Sequence, residues 1–308
     1  MTDATLATDA AWKTINSLRV LAMDAVQQAN SGHPGTPMAL APVAYVLYRR
    51  HLKHAPHAPT WADRDRFVLS CGHASMLLYG ALHLSGYDLP LEEIKRFRQW
   101  GSKTPGHPER GHTVGVETTT GPLGQGIGNG VGMAIAERML REQYGAELCD
   151  HRTWVLCSDG DLMEGVASEA ASLAGHLKLD RLTVIWDDNK ITIDGRTDLS
   201  FSEDVGARFA AYGWHVLHVR DGNDLDDIDT ALTQAAAHAD APTLIVLRTI
   251  IGDPAPTKRD SSKAHGEPLG ADEITRTKAL LDWPTEPFHV APEAYAEMAP
   301  LAERGREL

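Results

Sequence analysis

The sequence predicts an α/β fold in which a parallel sheet is covered by helices on both faces, and three observations predict it. Short, nearly continuous apolar runs alternate with helical periodicities through the second half of the chain. The runs are rich in β-branched residues, as strands buried on both faces are, and parallel neighbours need a helix to cross between them. With 308 residues, 43% of them hydrophobic, the chain is long enough to bury a full core.

The first third reads as helical. From Ala11 to Ala29, the residues Ile15, Leu18, Ala22, Ala25 and Ala29 follow the three-four spacing of one buried stripe. Ser31-Gly32-His33-Pro34-Gly35 breaks the helix, since glycine and proline both oppose its continuation. Thr36-Pro37 restarts it, as a capping hydroxyl followed by proline at the first helical position. Phe67-Val68-Leu69 is a short strand leading into Ser70-Cys71-Gly72-His73 and a helix that ends near Gly86. Further strands are expected at Trp154–Cys157, Leu182–Trp186, Trp214–Val219 and Thr243–Thr249, with helices at about 164–177, 203–212, 224–239 and 271–281. In such sheets ligands sit at the carboxyl ends of the strands. The polar stretch Asp253 to Lys263 reads as a mobile surface loop. Pro284, Pro287, Pro292 and Pro300 read as a linker, which sets a domain at 1–283 and a linker or tail at 284–308.

Composition excludes several functions. Against 42 acidic side chains there are 29 basic ones, a net charge of −13, so no basic stripe tracks nucleic acid or an anionic membrane. No apolar run approaches the roughly 20 residues of a membrane span. The start, MTDATLATDA, lacks the blocks of a signal peptide, and three cysteines without a CxxC pair suit a reducing cytoplasm.

Three groups of residues point to chemistry. Ser158-Asp159-Gly160-Asp161-Leu162-Met163-Glu164-Gly165 follows a strand and opens a helix, and the next strand ends in Asp187-Asp188-Asn189-Lys190-Ile191. Asp159 and Asn189 thereby stand at the ends of consecutive strands, a carboxylate beside an amide oxygen. Both are hard ligands suited to Mg²⁺ or Ca²⁺. The competing reading makes Asp159 and Asp161 helix caps. In Thr118–Gly130 (TTTGPLGQGIGNG), Gly124, Gly126, Gly128 and Gly130 fall at every second position, so the GxGxxG register is absent, and no GK dipeptide exists to form a P-loop. What remains is a glycine-rich helix start open to a close ligand, or a helix–helix contact through Gly128 and Gly132. His33, His73, His107 and His265 lie in Gly/Pro-fixed turns and read as proton donors and as hydroxyl or phosphate binders. No HExxH and no Cys/His ligand spacing supports zinc. His51, His54 and His57 read as surface residues.

Taken together, SGHPG, GHASMLLY, TPGHPE, TTGPLGQG, the DG…N pair, DDNKITIDG and HGEPLG resemble the transketolases, in order and from about Ala11 to Trp283. Two departures stand out: Ser158 replaces the usual glycine before the motif aspartate, and GDPAPTKRDSS differs from the family's Gly/Pro-rich loop before His265. The resemblance implies the thiamine diphosphate-binding fold of the diphosphate domain. It implies that Asp159, Asn189 and the main-chain carbonyl of Ile191 hold the divalent metal. It assigns His73, Gly121, Leu123, Gly160, Glu164, Ile193 and His265 to the cofactor, and His33, His107 and His265 to the sugar and its hydroxyl protons. The activity implied is transfer of a two-carbon ketol unit from a ketose phosphate to an aldose phosphate, as in the pentose phosphate pathway. The family's activating glutamate belongs to a pyrimidine-binding domain expected beyond Trp283. The chain is therefore expected to be the N-terminal subunit of a split transketolase, with a C-terminal partner chain and two copies of each in a heterotetramer. Rival readings are a 2-oxoacid dehydrogenase α-like or deoxyxylulose-phosphate synthase-like subunit, a non-catalytic relative, or a piece of a longer enzyme. HGEPLG and TPGHPE argue against the first two.

Overall fold

A computed structural model describes residues 5–308; the first four residues of the expected domain lie outside the described residues. Five parallel strands, β1 (Arg66–Leu69), β2 (Thr153–Ser158), β3 (Leu182–Asp188), β4 (His215–Val219) and β5 (Thr243–Arg248), form one sheet in the order β1-β2-β3-β5-β4. Alternate strand residues feed two separate cores, as a period of two requires. Trp154, Leu156, Ile185, Ile245 and Leu247 enter one core. Val155, Cys157, Val184, Trp186, Leu244 and Val246 enter the other.

The first core lies under α1 (Asp9–Ala29), α2 (Gly35–Val46) and α3 (Ser75–Leu84), with the short α4 (Leu91–Lys95) at its edge. The second lies under α5 (Gln125–Tyr144) and α7 (Gly165–His176), which follows the single turn α6 (Asp159–Met163). The helices α8 (Val205–Ala211), α9 (Leu225–Ala237) and α10 (Ala271–Leu280) complete the two layers. Among the described residues, no helix is long and apolar enough to cross a membrane.

Several expectations need correction. Instead of one buried stripe, α1 is buried almost all round between Thr14 and Val26, because other elements enclose it. Thr36 caps nothing: α2 starts at Gly35 with Pro34 before it, and a Cβ on Gly35 would stand 2.4 Å from the carbonyl oxygen of Ala264. That backbone contact fixes the turn. His54 is buried, not on the surface, with its Nδ1 3.1 Å from the Tyr87 hydroxyl. The stretch from Asp253 is anchored: Asp253 faces the buried Arg19 at 3.6 Å, Ala255 is fully buried, and the main-chain N–H groups of Thr257 and Lys258 donate to Glu273.

Residues 284–308 do not form the expected linker. Pro292 and Pro300 each stand at a helix start, where a missing N–H costs nothing. The resulting α11 (Pro292–Met298) lies on α1, and α12 (Pro300–Glu307) follows it. Phe288, Ala294, Met298 and Leu301 are core residues, and Arg304 donates to the carbonyls of Tyr48, Arg49 and Leu52. The same prolines that suggest an exit from the domain start its last two helices.

Candidate active site

At the carboxyl end of the sheet, Ser158 of β2 lies in register with Asp187 of β3, so Asp159 and Asn189 emerge side by side. The turn between β2 and α6 is held by Asp161, which is fully buried and accepts four bonds. One of its oxygens accepts from the Ser158 main-chain N–H at 2.8 Å and the Ser158 hydroxyl at 3.0 Å. The other accepts from the Ser70 hydroxyl at 2.6 Å and the Gly124 N–H at 2.7 Å. Asp161 thus ties the end of β1, the glycine-rich start of α5 and the end of β2 together, a capping role of the kind the sequence allows.

Asp159 does not share that role. Its Oδ1 accepts from the Trp186 indole at 3.2 Å, while Oδ2 is buried with no partner among the described residues. Burial, followed by the carboxylates of Asp187 and Asp188, pushes its pKa up to about 8. Asn189 is fixed from both sides: its Nδ2 donates to Asp187 at 2.6 Å, and its Oδ1 accepts from the Ile191 N–H at 2.9 Å. Thr249 donates to the other oxygen of Asp187. An unpartnered carboxylate oxygen beside an oriented amide oxygen is a donor set for a hard divalent cation.

The glycines divide by face. On α5, Gly126 and Gly130 pack on the sheet: a Cβ would lie 2.4 Å from Ser70 Cα in one case and from Val155 Cγ2 in the other. Gly128 and Gly132 meet nothing within 4 Å, so no helix–helix contact runs through them among the described residues. At the rim, Gly160 faces Leu123, where a Cβ would lie 2.8 Å from Cδ1.

The four histidines converge on this point from separate loops. The ring of His33 lies 5.0 Å from that of His73 and 5.5 Å from that of His265, and His73 and His265 are 5.1 Å apart. His107 stands over Gly121. Burial lowers the pKa of all four. For His33 the value falls to about 4, helped by His265, Arg98 and His107. The shift favours the neutral ring in each, and His33 Nδ1, His73 Nε2 and His265 Nδ1 are buried without partners among the described residues.

These residues line one cavity of about 400 Å³ together with Gly121, Leu123, Asp159, Gly160, Glu164, Asn189, Ile191 and Ile193. Every site residue named from the sequence is in it. Sequence reasoning missed Thr36, Met163 and Thr192, which also line it, and Trp186 and Asp187, which orient its ligands. Only the apolar run of β3 gave a signal for Trp186. His107 also borders a wider recess of about 780 Å³ that holds Arg98 and Trp100.

Comparison with known proteins agrees with this geometry. The family described as "Transketolase, thiamine diphosphate binding domain" matches residues 10–308. A transketolase of Geobacillus stearothermophilus is 57% identical over 286 residues, covering 92% of this chain and 43% of the relative. Transketolase 1 of Escherichia coli is 54% identical, covering 92% and 43%. The crystal structure of the Campylobacter jejuni transketolase superposes with a TM-score of 0.95 at 46% identity, over 98% of this chain and 47% of that one. A Pichia stipitis transketolase in complex with sedoheptulose-7-phosphate gives 0.95 at 46%, over 97% and 45%. The chain therefore spans less than half the length of these relatives. Motif order, cavity and similarity agree that this chain belongs to the transketolase family and corresponds to its N-terminal, thiamine diphosphate-binding part.

Proposed function

We propose that this chain is the N-terminal subunit of a split transketolase, moving a two-carbon ketol unit from a ketose phosphate to an aldose phosphate with thiamine diphosphate and Mg²⁺ (or Ca²⁺). One observation carries the reading: four histidines and the buried side chain of Asp159, with an oxygen that has no partner among the described residues, line a single cavity at the strand ends. When bound, thiamine diphosphate supplies the nucleophilic carbon and the electron sink that carbon–carbon cleavage needs. Asp159, Asn189 and the Ile191 carbonyl would hold the metal, and the orphaned Oδ2 of Asp159 supports that fit. The cradle at Gly160, which a Cβ would fill, supports close approach of the cofactor.

The remaining roles follow from charge and position. A neutral imidazole offers one donor and one acceptor nitrogen, so His33, His107 and His265 take a proton from one sugar hydroxyl and return it to another oxygen. His73, Gly121, Leu123, Gly160, Glu164 and Ile193 contact the cofactor, with His265 serving both groups. Leu123, Met163 and Ile193 give the cavity an apolar wall.

The activating glutamate and the phosphate-binding residues come from a pyrimidine domain on a C-terminal partner chain, two of each chain forming a heterotetramer. Support for a partner is the coverage of less than half of each relative. The setting is the cytoplasm and the pentose phosphate pathway. Calorimetry of thiamine diphosphate with Mg²⁺, followed by an assay of ketose-to-aldose transfer with and without the partner chain, tests the proposal. Robust turnover by this chain alone sinks the split-subunit reading, and pyruvate consumption without an aldose sinks the transketolase reading.

A further inference from the structure

A second group of ligating side chains stands at the opposite end of the sheet. Asp63 lies in the loop before β1, while Cys149 and His151 lie in the extended segment before β2, two residues apart and so on one side of the chain. Eight residues separate His151 from Asp159, about 25 Å along an extended chain, so this group is remote from the histidine cavity. Cys149 and His151 are buried, and the Asp63 side chain is 18% exposed.

The distances match a coordination sphere. Nδ1 of His151 lies 3.6 Å from Cys149 Sγ and 3.3 Å from Asp63 Oδ1, and the three ligand atoms are all within 4.8 Å of one another. Tetrahedral zinc, with bonds of about 2.1 Å to nitrogen and oxygen and about 2.3 Å to sulfur, sets a nitrogen about 3.6 Å from a sulfur and about 3.4 Å from an oxygen. The other groups around the site decide which metal it suits. Lys53 Nζ holds the second oxygen of Asp63 at 2.6 Å, and Arg66 faces His151. These cations disfavour a hard ion held by charge alone. They leave room for a metal that bonds covalently to thiolate, and the Cys149 Sγ, 3.8 Å from the main-chain carbonyl oxygen of Glu137, is the ligand that would supply that bond. Asp63 is already oriented by the Asp150 N–H at 2.7 Å, so it does not have to be ordered by the ion.

We propose that Asp63, Cys149 and His151 form a binding site for a zinc-like divalent ion, with water in the fourth position, that clamps the leading ends of β1 and β2. Binding releases the Cys149 thiol proton to solvent as the sulfur–metal bond forms. The absence of a sequence spacing for zinc does not bear on this arrangement, because two of its ligands come from segments more than eighty residues apart in the chain.

Cobalt titration of the chelator-treated chain in excess Mg²⁺ tests the proposal, since the cavity at Asp159 contains no thiolate among its ligands. The expected result is one equivalent of bound Co²⁺ with a thiolate-to-cobalt charge-transfer band, displaced by Zn²⁺. The band disappears in Cys149→Ser and persists in Cys71→Ser. Asp63→Asn and His151→Gln weaken binding more than ~100-fold, beyond the roughly 10–100-fold losses common for outer-shell changes. These two variants keep the test decisive if Cys149→Ser fails to fold. A missing band in the unaltered chain, or a band that survives Cys149→Ser or is indifferent to Asp63→Asn, overturns the proposal and leaves a hydrogen-bonded cluster.

Discussion

Replacing Asp159 by asparagine separates a ligand from a cap more sharply than any other single change. The carboxylate accepts one bond, from Trp186, and its second oxygen is buried without a partner. Burial and then Asp187 and Asp188 raise its pKa from 3.8 to about 8. An acid whose pKa rises on folding favours the folded state while it is protonated. That contribution is fully present below about pH 4 and is lost as the pH climbs towards 8. At pH 7 the loss spans about three pH units at about 1.4 kcal/mol each, or about 4 kcal/mol. Asparagine keeps the shape and one acceptor oxygen but cannot ionise. In the presence of EDTA, Asp159→Asn is therefore expected to raise the unfolding free energy by about 1–4 kcal/mol at pH 7 and to leave it unchanged at pH 4. The assay is urea denaturation followed by circular dichroism at both pH values. Thiamine diphosphate with Mg²⁺ should then stabilise the unaltered chain by mass action and leave the variant unmoved. A loss of about 1 kcal/mol at pH 7, as removal of a cap produces, would refute the reasoning.

Four further outcomes follow from the same structure. Asp161→Asn should cost about 2–4 kcal/mol in urea unfolding, because its amide group must face a donor that the carboxylate accepted, the Ser158 or the Gly124 N–H. Gly126→Ala should cost at least about 1–3 kcal/mol, since its Cβ would stand 2.4 Å from the backbone of Ser70. Gly128→Ala, with open space at the same helix, should gain about 0.5–1 kcal/mol in thermal unfolding, and equal effects at the two positions would contradict the assigned faces. His33 and His54 are each lowered from 6.5 to about 4, chiefly by burial, so the unfolded chain takes up their protons first. His151 is likewise lowered to about 4 and His73 well below 6.5. With Asp159→Asn as the background, which removes the opposing titration of that carboxyl, stability should fall from about pH 6.5 towards pH 4 with a slope of more than two protons. A flat profile of urea midpoints across that window would contradict the neutral-ring assignment.

Much of this architecture is legible in the sequence because its signals are local. The strands announce themselves as apolar runs between polar turns, and the alternation of Trp154 and Val155 or Ile185 and Trp186 between two cores is what a doubly covered sheet requires. The site residues sit in motifs whose glycines and prolines fix the loops, so their convergence is implied by the ends of parallel strands. What escapes is decided by distant partners. Pro292 and Pro300 look like breaks until α1 is present to receive the helices they start. Thr36 looks like a cap because nothing local reveals the carbonyl of Ala264 pressing on Gly35. His54 reads as a surface residue because Tyr87, thirty-three positions away, is its partner.

The same dependence on partners sorts the buried aspartates into structure and function. Asp24 accepts from Lys278 at 2.9 Å and from the Phe288 N–H at 2.8 Å, fastening the final helices to α1. Asp65 accepts from the N–H groups of Lys53 and Arg152 and from the Trp154 indole, joining the leading ends of β1 and β2. Asp161 has four donors. Asp159 is as deeply buried as these, yet one of its oxygens has no hydrogen-bond partner among the described residues. A fold selected for stability alone gains nothing from such burial, because burying a carboxylate without partners costs several kcal/mol. The unpartnered nitrogens of His33, His73 and His265 border the same cavity. Four unmet polar atoms converging on one space are accounted for together by a ligand that satisfies them all. The proposed diphosphate, held through a divalent ion with a hydroxylated sugar beside it, would supply the required donors and acceptors.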